Sequence, residues 1–542
     1  MKNLILLLFV LFAVNLSAQR IDVTLITPYS GEEYPAYNFT YDKNSKQWAY
    51  SIYDTANNKS ILLGSKGNSD YYDFIADWNI IFDDSGNYYT YAYNYRGDEK
   101  YVYFLLKNGK QHSFYDNIVY MLKMYKGKIY FLAEQNEESF LVVYDISRET
   151  IEKGKHYEKV YCYPDFDQTF YREPTYTISF TSNDEPIYIA EEMGKKFIVT
   201  GEREGKKYDD IVDWYAKKDL RGNICYVAVV ENLKGRKEFV VQGDKEYKKF
   251  YGISYIDTFT VSNVPVYAVI DSIAPDKTVN YVVIGNDIKS RKLDTWISNI
   301  EITPSGKLAY SGGVMYGKDK YKDVLYIEDE EIVSYESISS LKFDKKGKPL
   351  FVAAKNEKSF VIYDDEQLEG VYTSIYNAGF LEDGSVYYSG IIYGDYEKKI
   401  ADRYYVHIGD KKLGPFDGIG PMGEYGSTDP VSDKNGNYAF LVSYVKYEPE
   451  YSYKYAVYSN KFVSNKYDYI SQFNIFKGNI YYFAEKYSED YFYYDEFFKN
   501  NFKIGDTFQN PGSINYDENK GIYSFTCVKD GYYCYVEIDL NQ

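Results

Sequence analysis

Residues 80–94 read IIFDDSGNYYTYAYN, and residues 341–355 read LKFDKKGKPLFVAAK. Each sets a short apolar run against an alternating run of aromatic, Ala and aliphatic residues, with D-x-x-G between them. That junction is a tight turn, because Asp bonds its own backbone and Gly adopts positive φ without cost. The alternation beyond it is the pattern of a half-buried strand. The same pattern returns twelve times along the 542 residues, and Y-D-x-I marks the end of the clearest units. Tyr72-Asp73-Phe74-Ile75, Tyr115-Asp116-Asn117-Ile118 and Tyr467-Asp468-Tyr469-Ile470 are the best copies.

The copies begin near Asn38, Asn79, Val119, Thr177, Trp214, Ile256, Asn299, Ser340, Asn377, Asp429, Gln472 and Ser513. Tyr72 to Tyr115 is 43 residues and Phe343 to Phe380 is 37, so the period is close to 40. Each unit reads as four short strands, A to D, with Y-D-x-I ending strand D. A period of this length with several strands per unit predicts an all-β chain with the fold of a β-propeller. The last copy stops after strand C at Ile538, whereas Ile21–Ile26 forms an extra strand before the first copy. Pairing of the two ends would close a ring and remove an open edge.

Twelve blades exceed the ordinary range of about 4–8. The expected arrangement is therefore two six-bladed propellers in tandem, residues 19–286 and 287–542. A split after the sixth strand C, near Gly285-Asn286-Asp287, gives each half a D strand first and a C strand last. Seven plus five, or one wide ring, are the alternatives.

Met1-Lys2-Asn3, eleven apolar residues from Leu4 to Val14, and Leu16-Ser17-Ala18 describe a cleavable signal peptide over residues 1–18. Eleven residues are too few to span a bilayer, which takes about 20. The expected location is exported: periplasmic, cell-surface or secreted, with no membrane insertion after cleavage. The formal net charge of −18, without a basic stripe, argues against nucleic acid as a partner. Tyr is abundant, at 69 residues, and suits half-buried strands because its ring packs while its hydroxyl reaches water.

The run Lys412-Leu413-Gly414-Pro415-Phe416-Asp417-Gly418-Ile419, followed by Asp433-Lys434-Asn435-Gly436-Asn437-Tyr438-Ala439-Phe440, resembles the TolB-type, WD-like propeller repeats of secreted bacterial proteins. The resemblance covers most of the chain after residue 18 and implies the fold rather than an activity. The α/β segment that accompanies these repeats in TolB itself has no counterpart in the sequence, so its partner-binding role is not implied.

Catalytic signatures are absent from the sequence. The three histidines, His112, His156 and His407, fall on strands and turns with no nucleophile in sequence reach, and there is no G-x-S-x-G or H-E-x-x-H. Asp433-x-Asn435-Gly436-Asn437 groups oxygen ligands but lacks the distal bidentate Glu of a calcium loop, and turn chemistry explains it. No cofactor and no metal are expected. Cys527 and Cys534 flank Asp530-Gly531, and a two-residue hairpin there sets them opposite each other, a candidate disulfide.

Loop length is the one asymmetry. Long insertions fall between strands D and A (Tyr161–Tyr176) and between B and C (near 393–402, 447–454 and 485–500), which emerge on one face of each blade. They carry the candidate ligand-binding residues Tyr163, Phe166, Tyr396, Tyr447, Tyr451, Tyr453, Tyr491, Phe492 and Asp495. The expected function is an exported, non-enzymatic β-propeller that binds a protein or glycan through this face. A propeller hydrolase (glycosidase or peptidase) using acidic loop residues, and a scaffold component of an envelope complex, are the alternatives.

Overall fold

The computed structural model describes residues 20–541, apart from 29–38, 55–56, 98–99, 163, 166–174, 177, 234, 275–276, 318–319, 396–399, 421–428, 447–451, 488–492, 510–513 and 530–531. The expected signal peptide, residues 1–18, lies outside the described residues.

The chain is all-β, as expected, with no α-helix among the described residues. Ile297–Ile302 pairs with Leu308–Gly317, then Lys320–Ile327, then Glu330–Tyr335, all antiparallel. Sheets of the same four-stranded order cover residues 117–153, 210–246, 252–288, 337–367 and 374–416. We call the four strands A to D. The A–B turn is the D-x-x-G element, and its chemistry is the expected one. Asp83 Oδ1 accepts the N–H groups of Ser85 and Asn87 at 2.9 and 2.8 Å, and Gly86 sits at φ +72°. Asp344 and Asp433 repeat the pattern, and the Asp433 carboxylate is already satisfied by Asn435 and Asn437.

Y-D-x-I divides differently from the sequence expectation. Its Tyr does end strand D, but its Ile begins strand A of the following sheet, as Ile75 pairs with Ala92. The Asp between them caps that sheet. Asp73 accepts the N–H of Tyr95 at 2.6 Å, Asp116 that of Asn136 at 2.7 Å, Asp209 that of Glu231 at 2.8 Å and Asp417 that of Val445 at 3.0 Å. A carboxylate accepting a backbone donor is worth about 1.5–3 kcal/mol, so the repeated Asp is structural. The closing ring packs over a small residue on the next strand B. At Gly390 a Cβ would fall 2.4 Å from the Tyr372 ring, and Ala92, Ala190 and Ala228 share core clusters with Tyr72, Tyr157 and Tyr208. This explains the alternation of Tyr with Ala in strand B, and burying each ring contributes on the order of 1.5–3 kcal/mol.

Strand A is bulged in sheet after sheet, with register breaks between Val119 and Lys123, Val212 and Lys217, Ser298 and Glu301, and Ser339 and Lys342. One expectation changes here. Lys159–Cys162 and Ser179–Phe180 both pair with Pro186–Glu192, so the insertion starting near Tyr161 interrupts strand A rather than preceding it.

The two ends of the chain pair. Arg20–Pro28 runs antiparallel to Tyr532–Asp539, from Arg20 opposite Asp539 to Pro28 opposite Tyr532, with one register shift between Leu25 and Thr27. Phe39 stacks on Tyr533 at 4.4 Å, fastening the first sheet to the last. By contacts the chain forms two compact units. One comprises Met1–Phe114, Asp417–Glu424 and Thr428–Gln542 and contains the paired ends; the other comprises Tyr115–Phe416 with Tyr425–Ser427. Asp287–Ile288 pairs with Lys277–Ile284 as the last strand of the sheet of residues 252–288. Cys527 lies directly opposite Cys534, as the hairpin register requires; both are buried free thiols, so the expected bond is not formed in this structure.

Candidate functional site

Of the nine sequence-predicted ligand residues, Tyr163, Phe166, Tyr396, Tyr447, Tyr451, Tyr491 and Phe492 lie outside the described residues. Tyr453 is half-buried opposite Val445, where strands B and C approach their turn. Asp495 is on strand C of its sheet, opposite Glu485, and only 1% exposed. Its Oδ1 has no hydrogen-bond partner. Burial, and then the Glu485 carboxylate, push the Asp495 acid well above the usual carboxylate range. Asp495 therefore stands beneath the hairpin with its protonated form favoured, and it presents nothing on the surface.

The described residues on the same edge of the sheets carry a different aromatic set. Exposed large apolar side chains gather where strand B turns to C and where D passes to the next A. In the unit that contains the paired ends these include Tyr53, Trp78, Tyr95 and Tyr101; in Tyr115–Phe416 they include Trp296, Met315, Tyr316, Tyr321, Tyr376 and Tyr393. The A–B and C–D turns at the other edge show few, among them Leu220 and Val261. Strand periodicity makes these rings neighbours, because directly opposed residues on one face lie within reach. Tyr93 lies 5.1 Å from Tyr103 and 5.2 Å from Tyr101, and Tyr95 is 5.3 Å from Tyr101. Trp296 is 47% exposed, sits 5.5 Å from Tyr321 and donates its indole N–H to Asp323 at 3.1 Å. Tyr376 stacks on Tyr404 at 6.3 Å, and burial followed by its bond to Tyr393 raises its phenol above the ordinary range. Aromatic rings fixed by such contacts lose little entropy on binding.

A second constellation went unseen in the sequence. On the bulged A strands of consecutive sheets, Lys217 Nζ donates to the Asp257 carbonyl at 2.5 Å, and the Glu301 carboxylate feels the Asp257 charge. Desolvation lowers the Lys217 amine and raises both acids, with the Lys217 charge opposing the rise at Asp257. Only the strand-A register, which propensity does not reveal, brings these three residues together.

The three histidines sit in one packed and two surface positions. His407 is buried, shares a hydrogen bond with the Tyr372 hydroxyl, stacks on Tyr388 at 4.3 Å, and is pushed down to about 4 by burial and then by Lys412. His156 pairs with Glu138 at 2.7 Å in the open, and His112 is exposed. Among the described residues no group of three or more His, Cys, Asp or Glu side chains is placed to hold a metal.

No family model matches the chain. A curated protein, inositol-tetrakisphosphate 1-kinase 1 of Arabidopsis thaliana, is 25% identical over 149 residues, or 27% of this chain. The chain spans 46% of that relative's length. Among solved structures, the chain is similar to the β-propeller domain of the Trilobed protease from Pyrococcus furiosus, at 14% identity and a TM-score of 0.23 over 60% of this chain and 93% of that one. It is similar to TolB from Acinetobacter baumannii at 10% identity and a TM-score of 0.21, over 78% and 79% of the two chains. An oligogalacturonate lyase in complex with manganese gives 12% identity and a TM-score of 0.28, over 77% and 98%. Likeness this distant carries no argument about activity.

Proposed function

We propose that this chain is an exported, non-enzymatic β-propeller protein that captures a protein or glycan partner on the edge formed by its B–C turns and D–A passages. One observation carries the reading: exposed aromatic side chains concentrate on that edge, where Trp296, Tyr316 and Tyr393 are each about half exposed. Aromatic anchors on a rigid sheet scaffold are the usual source of binding energy in such surfaces. The four-stranded meanders and the pairing of the two ends support the propeller. Leader-like residues 1–18 support export, and no helix among the described residues is long and apolar enough to cross a membrane.

The test is capture of a partner from envelope extract by immobilised residues 19–542. Combined Trp296→Ala, Tyr316→Ala and Tyr393→Ala should abolish capture, whereas Leu220→Ala with Val261→Ala on the other edge should not. Equal loss from both sets would refute the assignment of the edge.

A hydrolase is the second reading, and Asp257 with Glu301 is the observation in its favour. Two neighbouring acids whose protonated forms are favoured by burial are suited to proton transfer. Turnover of a chromogenic glycoside or peptide, lost in Asp257→Asn, would place the chain among enzymes.

A further inference from the structure

A cleft of about 480 Å³ opens between the sheets of residues 186–204 and 210–246, on the edge carrying the A–B and C–D turns. That volume lies within the range of about 300–1,000 Å³ usual for small-molecule sites. We propose that this cleft binds a neutral, hydroxyl-rich ligand, the end of a saccharide chain.

Two carboxylates, Glu204 and Glu246, line it. Glu246 Oε1 accepts the Tyr208 hydroxyl at 3.0 Å and the Lys206 ammonium at 2.7 Å. Glu204 Oε1 accepts the Tyr157 hydroxyl at 3.2 Å and the Lys155 ammonium. In both, a Lys and a Tyr from a single closing segment fix one oxygen, and Oε2 takes no bond from a described residue. The lysines hold both acids below the usual carboxylate range. Each is therefore an oriented, ionised acceptor at neutral pH rather than a proton donor, which suits recognition and not glycoside cleavage.

The rest of the lining selects against charge. Glu204, Glu246 and Asp244 disfavour an anion, while Arg203 and Lys206 disfavour a cation. A hydroxyl both donates and accepts, so a polyol can give its protons to the two Oε2 atoms and receive them from Arg203 and Thr200. Ile198, Ile224 and Tyr226 supply an apolar floor for the C–H face of a ring. One sheet earlier, a cleft of about 460 Å³ is lined by Lys128, Lys153, Lys155, Glu152 and Glu202, and no such pair of tethered glutamates faces into it.

Saturation-transfer NMR with residues 19–542 and a panel of neutral mono- and disaccharides tests the proposal. At least one saccharide should bind, and Glu246→Gln should weaken it by about tenfold or more, the loss of a charged hydrogen-bond acceptor. Asp244→Trp should block the cleft; this side chain is exposed and makes no hydrogen bond or ion pair among the described residues, so folding should survive and a matching melt confirms it. Phe502→Ala, an exposed side chain outside the cleft lining, should leave saccharide affinity unchanged. Absence of transfer to every saccharide, or affinity untouched by Asp244→Trp, would overturn the assignment.

Discussion

Replacing Asp495 by Asn should stabilise the protein, and by more as the pH rises. Asp495 is 1% exposed, has an oxygen without a partner, faces Glu485, and its acid is raised well above the ordinary value. In the unfolded chain it titrates near 3.9. Between that pH and its folded value, the native state holds a proton that the unfolded state has released. Stability is therefore full below about pH 3.9 and falls by about 1.4 kcal/mol per pH unit until the folded acid titrates. Asn keeps the shape and cannot ionise, so the difference between variant and parent should be near zero at pH 4 and widen steadily above it. Asp495→Leu removes the orphan oxygen as well, a further gain of about 1–3 kcal/mol. For a unit of this size each 1 kcal/mol moves Tm by roughly 2–4 °C. Calorimetric melts of parent and both variants from pH 4 to pH 8 supply the assay. A difference independent of pH, or an Asn variant less stable than the parent at pH 7, would refute the buried-acid reasoning.

Asp209→Ala removes the acceptor of the Glu231 N–H and a largely buried partner of Lys195, and should cost about 1–2 kcal/mol by urea denaturation, whereas Asp244→Ala should cost nothing measurable. His407 has the opposite pH behaviour to Asp495: its folded pKa is depressed to about 4, so its contribution is present above about 6.5 and is lost as the pH falls toward 4. His407→Phe should flatten that acid limb by up to about 3 kcal/mol, and melts at pH 7 and pH 4.5 measure it. Deleting residues 20–28 exposes the backbone edge of Tyr532–Asp539 and should yield oligomers in light scattering; a monodisperse product with an unchanged melt would contradict the role of the paired ends.

Local chemistry was legible in the sequence, and register was not. D-x-x-G announced its hairpins because the turn is decided by Asp and Gly alone. Pairing of Ile21–Ile26 with the last strand followed from a simple comparison of which strands the ends lacked. Cys527 fell opposite Cys534 because a two-residue turn fixes register by itself. Y-D-x-I divides between Tyr72 and Ile75 because they belong to different sheets, and four adjacent residues give no sign of a change of sheet. Lys217, Asp257 and Glu301 were invisible for a related reason: they meet only through the bulges of three separate A strands. Asp495 reads as a surface ligand because it falls in the long 485–500 insertion, yet the strand alternation around Phe497 turns it inward with the rings.

The pairing of Arg20–Pro28 with Tyr532–Asp539 has a cost in time. At about 5–20 residues per second, the first strand waits roughly half a minute to two minutes for its mate to be synthesised. Throughout that interval the nascent protein trails an adhesive ribbon. Any premature stop codon leaves the ribbon permanently uncovered.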